Sequence, residues 1–514
     1  MLSFMAGGFA IGASKAEPSE VPSLSDMTPK QQSRFCSSDR SSTEGLYEFI
    51  SAGHTLVFKG ADVLTMRDPE LLRSHDVIVR DRRIIGLQPS GGELPSDAIL
   101  VAAKGKTLIP GLSDIHAHLF LAFWGQGYAP MLGNSNDGSE YILPYDLQLF
   151  QLLAAGITRT EIMAGCVDAL WIRDSINSGK LVGPRMRVAS PLVDGAPTYH
   201  SPLMSYVVGD LDGGRRAVDQ AVDLGFDFIK TYSRLPADGF EGVMQRCDAH
   251  GIRVMGHIPS AVDVEDALAR GQGGVAHASE LFYNLGGPER VDFGRIERIA
   301  RKMAAAGTWM HATLVVADRS EWLIGTRALH APDIEMMNPL QRSLFREGSD
   351  FVTGIRQRED LKVMMDNVYE LSVAVTRAVH QAGGLVLTGT DHPNPYIIDG
   401  FSLHEELERL VGDAGMSQFD TLYASTHRAA EYHGEKDGGF IAEGADADLV
   451  LLDANPLRDI TATRKIDTVL RGNVLLRQDK IREGLTRVQK AFAAMPAVEV
   501  NLAAGSEYMT KTEE

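Results

Sequence analysis

"GLSDIHAHLF", residues 111–120, sets two histidines two positions apart directly behind the apolar run "KTLIPGL", residues 106–112. Side chains alternate across a strand with period two, so His116 and His118 share one face. A buried strand gains nothing from two imidazoles there unless that face meets water or something that imidazole binds. The stretch therefore predicts a strand whose C-terminal end opens into a site.

Downstream, the same arrangement recurs. Short apolar runs follow at "GITRTEIMA" (156–164), "RMRVASP" (185–191), "GFDFIKTY" (225–232), "GIRVMGHI" (251–258), "GGVAHAS" (273–279), "GTWMHATLVV" (307–316) and "GGLVLTGTD" (383–391). Between them lie helical stretches such as "GGRRAVDQAVDL" (213–224) and "GFEGVMQRCDAH" (239–250). Alternating strand and helix argues for a parallel sheet with crossover helices. Counted with the first run, eight such units favour an α/β (β/α)8 barrel over residues 108–432. The long helical span between the seventh and eighth runs predicts an insertion. On either side, alternating runs such as "HTLVFKGADVLTM" (54–66) and "KIDTVLRGNVLL" (465–476) read as antiparallel strands. They predict one small β-sandwich built from residues 53–107 and 433–485, with a tail at 486–514.

Residues 1–52 read as a loose leader rich in Ser, Pro and charge. Its apolar start, "MLSFMAGGFAIGASKA", has a plausible small-residue cleavage site but no basic flank, so export signal and flexible tail both stay open. The protein is periplasmic or secreted on the first reading and cytoplasmic on the second. A formal charge of −18 disfavours nucleic acid, which needs clustered Lys and Arg. No apolar run of about 18 residues predicts a membrane span. Three cysteines, Cys36, Cys166 and Cys247, are too few for a disulfide framework. A homo-oligomer acting on a small molecule is expected.

Active-site groups of such barrels sit at the C-terminal ends of the strands. Here those ends carry His116 and His118, Lys230, His257, His277 and Asp391. One histidine at a strand end is ordinarily a packed residue; six ionisable groups at equivalent points are not coincidence. Neutral imidazole and carboxylate suit Zn²⁺ and similar ions. Lys230 is the odd member, because an unpaired ammonium beside cations is costly. After reaction with CO₂ it becomes a carbamate, whose two oxygens bridge two cations.

On these residues, and on "NSGKLVGPRMRVAS" (177–190), "LHEELERLV" (403–411) and "EGADADLVLLDANPLRDI" (443–460), the chain resembles the amidohydrolase superfamily over about residues 54–480. The likeness is strongest to its imidazolonepropionase-like and prolidase-like branch. The resemblance implies that His116, His118 and Asp391 hold one divalent ion, that His257 and His277 hold a second, and that carboxylated Lys230 bridges them, with zinc the expected metal. It implies hydrolysis of a peptide-like or N-acyl amide by a metal-bridging hydroxide, with Asp391 as proton carrier. A cyclic amide, lactone or organophosphate ester is the alternative substrate, and a mononuclear site the alternative centre. Tyr232, His200 of the "DGAPTYHSP" loop and His311 are candidate substrate contacts. Glu161 and His311 depart from the usual pattern, while His392 and His404 read as packing residues. A binding protein on an inactive barrel would have lost ligands, and all six are present.

Overall fold

The computed structural model describes residues 41–119, 143–200, 204–285 and 292–495. The leader up to residue 40, with Cys36, and the tail beyond residue 495 lie outside the described residues. The barrel strands are β1 (Leu112–Ala117), β2 (Ile157–Ile162), β3 (Arg185–Asp194), β4 (Phe228–Thr231), β5 (Val254–Gly256), β6 (Gly274–Ala276), β7 (Trp309–His311) and β8 (Leu385–Leu387). They pair in that order, every pair parallel. Ser205–Val207 adds to β3. β1 and the chain after β8 then meet: Ile115 N–H donates to Thr388 O at 3.0 Å and His118 N–H to His392 O at 3.0 Å. With one parallel bridge between Ala117 and His392, the sheet is a nearly closed barrel in a mixed α/β fold.

These strands are buried along almost their whole length, which is why they read as apolar runs and not as alternating ones. The helices between them follow local rules. Leu211–Leu224 starts at Asp210, whose carboxylate accepts the Gly213 N–H at 2.6 Å, and stops at Gly225 with φ 87°. Asp263 and Gly271 do the same for Val264–Arg270. Ile115, Met163, Ala189, Phe228, Met255, Ala276 and Leu387 pack together with Ala429 and Tyr432. This plug, drawn from seven of the eight strands or their ends, lies beneath the polar strand termini. Its larger apolar side chains, Met and Phe included, each contribute roughly 1.5–3 kcal/mol if fully buried.

Strands from both chain ends form a second, curled sheet. Its path runs Glu48–Phe49, Val474–Arg477, Ile466–Arg471, Asp448–Leu452, Thr107–Pro110, Thr55–Leu64, Leu71–Arg80 and Arg83–Pro89, with Ile99–Ala102 on Thr55–Leu64. The ends join where Thr107–Pro110 pairs antiparallel with Asp448–Leu452. Thr107–Pro110 then runs through Gly111 straight into β1, so this sheet anchors the strand that carries the first two histidines.

Between β7 and β8 stand five α-helices, Leu314–Ile324, Pro339–Phe345, Asp350–Arg356, Glu359–Met365 and Val368–Gln381. Buried ion pairs hold this insert to the helix Ser402–Gly412: Arg319 reaches Glu405 at 2.6 Å, and Arg409 reaches Asp318 at 2.7 Å. Gln341 donates to Pro393 O at 2.7 Å, so the insert also grips the loop after Asp391. Among the described residues no helix is long and apolar enough to cross a membrane.

Candidate metal centre

β1 places the His116 and His118 rings 5.7 Å apart, both turned to Asp391. His118 Nε2 lies 2.8 Å, and His116 Nε2 3.3 Å, from Asp391 Oδ1. One ligand atom from each of the three can be chosen so that all lie within 4.8 Å of one another. Asp391 is fixed from several sides. Its N–H donates to His116 O at 2.6 Å, and Asn394 Nδ2 donates to its Oδ2 at 2.8 Å. Its φ of 58° is a conformation that costs a non-glycine residue about 1–3 kcal/mol. Gly389 makes the approach possible, since a Cβ there would lie 2.6 Å from His116 Cβ.

The other histidines are held differently. His257 follows Gly256, whose φ is 149° and where a Cβ would stand 2.3 Å from Thr231 O. The His257 ring stacks on Tyr232 at 4.1 Å. Its Nδ1 meets Ser233 Oγ at 2.7 Å and Glu280 Oε2 at 3.1 Å. His277, at φ 67°, has Nδ1 2.8 Å from Thr313 Oγ1 and Nε2 3.7 Å from Asp391 Oδ2. Its ring centre is 4.3 Å from that of His116 and 5.1 Å from that of His257. With Nδ1 engaged on both rings, Nε2 is the nitrogen left for a cation. Lys230 is the penultimate residue of β4, 1% exposed, with Nζ 5.9 Å from the Tyr232 ring centre.

Burial dominates the electrostatics. It pushes the His116 imidazole down to about 3, with the Lys230 charge adding to it. It pushes the Lys230 amine down to about 8 against the pull of Asp391, Glu280 and Glu161. Burial would raise Asp391, but His277 and His116 beside it hold the carboxyl well below its usual range. The result is neutral imidazoles around one carboxylate, the protonation state a divalent cation needs. The buried His116 Nε2 makes no well-formed hydrogen bond, as expected of a lone pair kept for an ion.

Of the candidate substrate contacts, His200 and Tyr232 come together, Nε2 to Oη 2.9 Å, next to His257. His311 is fully buried, with Nδ1 3.3 Å from the Nδ1 of His116. Glu161 faces the helix His427–Tyr432 and its end: Tyr432 Oη donates to Oε1 at 2.8 Å, and His433 Nε2 lies 3.1 Å from Oε2. His392 Nδ1 pairs with Asp399 at 3.0 Å, and His404 Nδ1 meets Thr463 Oγ1 at 3.1 Å, so neither joins the cluster. Sequence reasoning missed Glu280, Ser233, Thr313 and Asn394, which fix the cluster from behind. Glu280 and Asn394 each stand three residues past a candidate ligand, and that spacing is the signal that could have found them.

The sequence profile of the amidohydrolase family matches residues 107–475. No curated protein matches the chain. Among solved structures, bottromycin amidohydrolase is 24% identical with a TM-score of 0.65, the match covering 88% of this chain and 93% of that one. A Xaa-Pro dipeptidase with methionine bound in its active site is 18% identical with a TM-score of 0.62, covering 82% and 100%. A prolidase complexed with N-methylphosphonate-L-proline is 20% identical with a TM-score of 0.59, covering 82% and 99%. At these identities the structural likeness is one of fold.

Proposed function

The chain belongs to the amidohydrolase family, enzymes that hydrolyse C–N bonds, and from that premise we propose a metal-dependent hydrolase that cleaves a peptide-like or N-acyl amide in a small molecule. The observation that carries it is the buried gathering of His116, His118, His257, His277, Lys230 and Asp391 at the C-terminal ends of five barrel strands. We read the nearly closed sheet as a (β/α)8 barrel over residues 108–432. The curled sheet is read as a β-sandwich of 53–107 and 433–485, flanked by a leader at 1–52 and a tail at 486–514.

In this reading His116, His118 and Asp391 would hold one ion and His257 and His277 the other, and Lys230, once carboxylated by CO₂, would supply the anionic ligand shared between them. Two zinc ions would lower the pKa of water to near neutrality and polarise the scissile carbonyl. Asp391 takes the nucleophile's proton and delivers it to the departing amine, a general acid–base role. The Asn394 amide, on Oδ2, keeps that carboxylate aimed. Tyr232 and His200, joined by their hydrogen bond, orient the carbonyl or carboxylate of the substrate. Dipeptide-like substrates are favoured by analogy with the dipeptidase and prolidase folds; specificity itself lies in the loops after the strands.

A mononuclear enzyme is the second reading. In its favour, His116, His118 and Asp391 form a compact ligand group by themselves. Elemental analysis decides: zinc-replete protein should hold close to two ions per chain, and a value staying near one with bicarbonate present supports the mononuclear form. The substrate class is tested by offering metal-loaded protein dipeptides, N-acyl amino acids, lactones and aryl phosphotriesters. Amide turnover lost on chelation is expected; turnover of esters alone, or amide turnover that survives chelation, overturns the proposal.

A further inference from the structure

We infer that His311 is a positioning residue for His116, with the chain of contacts behind it anchored at Glu161. The inference rests on the reading of His116 as a metal ligand and adds what sets that ligand's proton. Nitrogens 3.3 Å apart share one hydrogen: one ring donates and the other accepts. His116 turns Nε2 toward Asp391, so a cation taken there needs the Nε2 lone pair, and the ring's hydrogen must sit on Nδ1. His116 Nδ1–H therefore donates to His311 Nδ1, and the hydrogen of His311 sits on Nε2.

That Nε2 is buried without a hydrogen-bond partner, and the ring meets Tyr432 edge-on, centres 5.6 Å apart at 85°. Tyr432 in turn donates its hydroxyl to Glu161, which enriches its ring as a partner for an N–H. Leucine would fill the same buried space without burying an N–H that lacks a conventional acceptor. What imidazole adds at position 311 is an acceptor for His116. Glu161 and His311, both singled out in the sequence, thus become two ends of one contact chain.

The test measures cobalt(II) affinity by chelator competition, and the visible spectrum of the bound cobalt, in variants whose thermal unfolding confirms the fold. His311→Leu should weaken binding of the first ion by ~10–100-fold, the effect of losing a partner behind a ligand, and shift the cobalt spectrum. His311→Asn, which keeps an acceptor near the position of Nδ1, should recover most of the loss. His311→Gln places its amide too far out and should behave like the leucine variant, which keeps the comparison alive if the latter does not fold. Tyr432→Phe should weaken binding less than His311→Leu. Wild-type affinity in His311→Leu or His311→Gln, or no recovery in His311→Asn, overturns the inference while the metal reading stands. A wild-type protein that takes up no cobalt fails the metal reading itself, and this inference with it.

Discussion

The two groups of histidines differ in what holds them. His116, His118 and Asp391 are set mainly by backbone: one position on β1 and one just past its end, and a residue whose own N–H is bonded to His116 O at 2.6 Å. His257 and His277 are set by side chains, through Glu280 and Ser233 on one and Thr313 on the other. Ligand atoms of the first group lie within 4.8 Å of one another, whereas the second pair of rings has its centres 5.1 Å apart. A site ordered chiefly by strand geometry should tolerate neighbouring substitutions other than those at its few side-chain partners, His311 on His116 and Asn394 on Asp391. One ordered by hydrogen bonds should fail partner by partner.

The sharpest break is at the carboxylate shared by the proposed chemistry and the first group. Asp391→Asn should lower kcat by roughly 10²-fold or more, the scale of a lost general acid–base, with KM little changed. An unchanged kcat in metal-replete Asp391→Asn would remove the residue from the mechanism. Lys230→Ala comes next. It should leave the first group loaded and cost the second ion, so that elemental analysis falls from about two ions per chain to about one. Acetate or propionate, diffusing into the vacated space, should raise the activity of that variant and not of the wild type. An unmodified ammonium at Lys230 in an active, fully metallated enzyme would erase the bridge between the groups.

Glu280→Gln separates the groups more finely. Losing the carboxylate behind His257 should weaken the second ion by ~10-fold and spare the first, by the scale of outer-shell partners. Equal losses at both, in a titration with chelator, would mean that the groups are ordered as one.

The smallest effect on catalysis is expected at Glu406. Its Oε2 accepts the Val315 N–H at 2.8 Å, beside Thr313, and its Oε1 is buried without a partner. Burial pushes this carboxyl up from 4.5 to about 7. The folded state then holds the proton more tightly than the unfolded chain, so the stabilisation is complete below about 4.5 and is lost as pH rises through about 7. The difference corresponds to about 3 kcal/mol. Glu406→Gln should flatten that slope between pH 4.5 and 7 in urea unfolding while leaving kcat unaltered. A wild-type slope in the variant would assign the pH dependence elsewhere.

How far the molecule could be read from its sequence follows the same division. His116 and His118 were legible because strand alternation is local, and Lys230, His257, His277 and Asp391 because each closes an apolar run. The nearly closed barrel was legible because parallel strands covered on both faces must be apolar. Ser233 and Thr313 were not, because their importance lies in a neighbour on another strand, and no local pattern distinguishes them from ordinary loop hydroxyls; Glu280 was signalled only by its spacing of three from His277. The seventh interval announced only a helical insertion; its five helices and its grip on Pro393 through Gln341 depend on packing between distant segments. His311 reads from sequence as a group at the mouth of the barrel, and only the distance to His116 turns it toward the ligand's back.

The bonds that bring β1 against the end of β8 have a topological consequence. His118 and Asp391 are 273 residues apart, and almost the whole barrel must be wound before they can touch. Contacts of such long range are the slow ones to form, because the entropy of closing the loop is lost before they repay it. A chain with any crossover misplaced would present two histidines with no carboxylate opposite them. The compact ligand group is therefore also a register of completed winding, and an ion seated there would act as a rivet through the last joint of the circle.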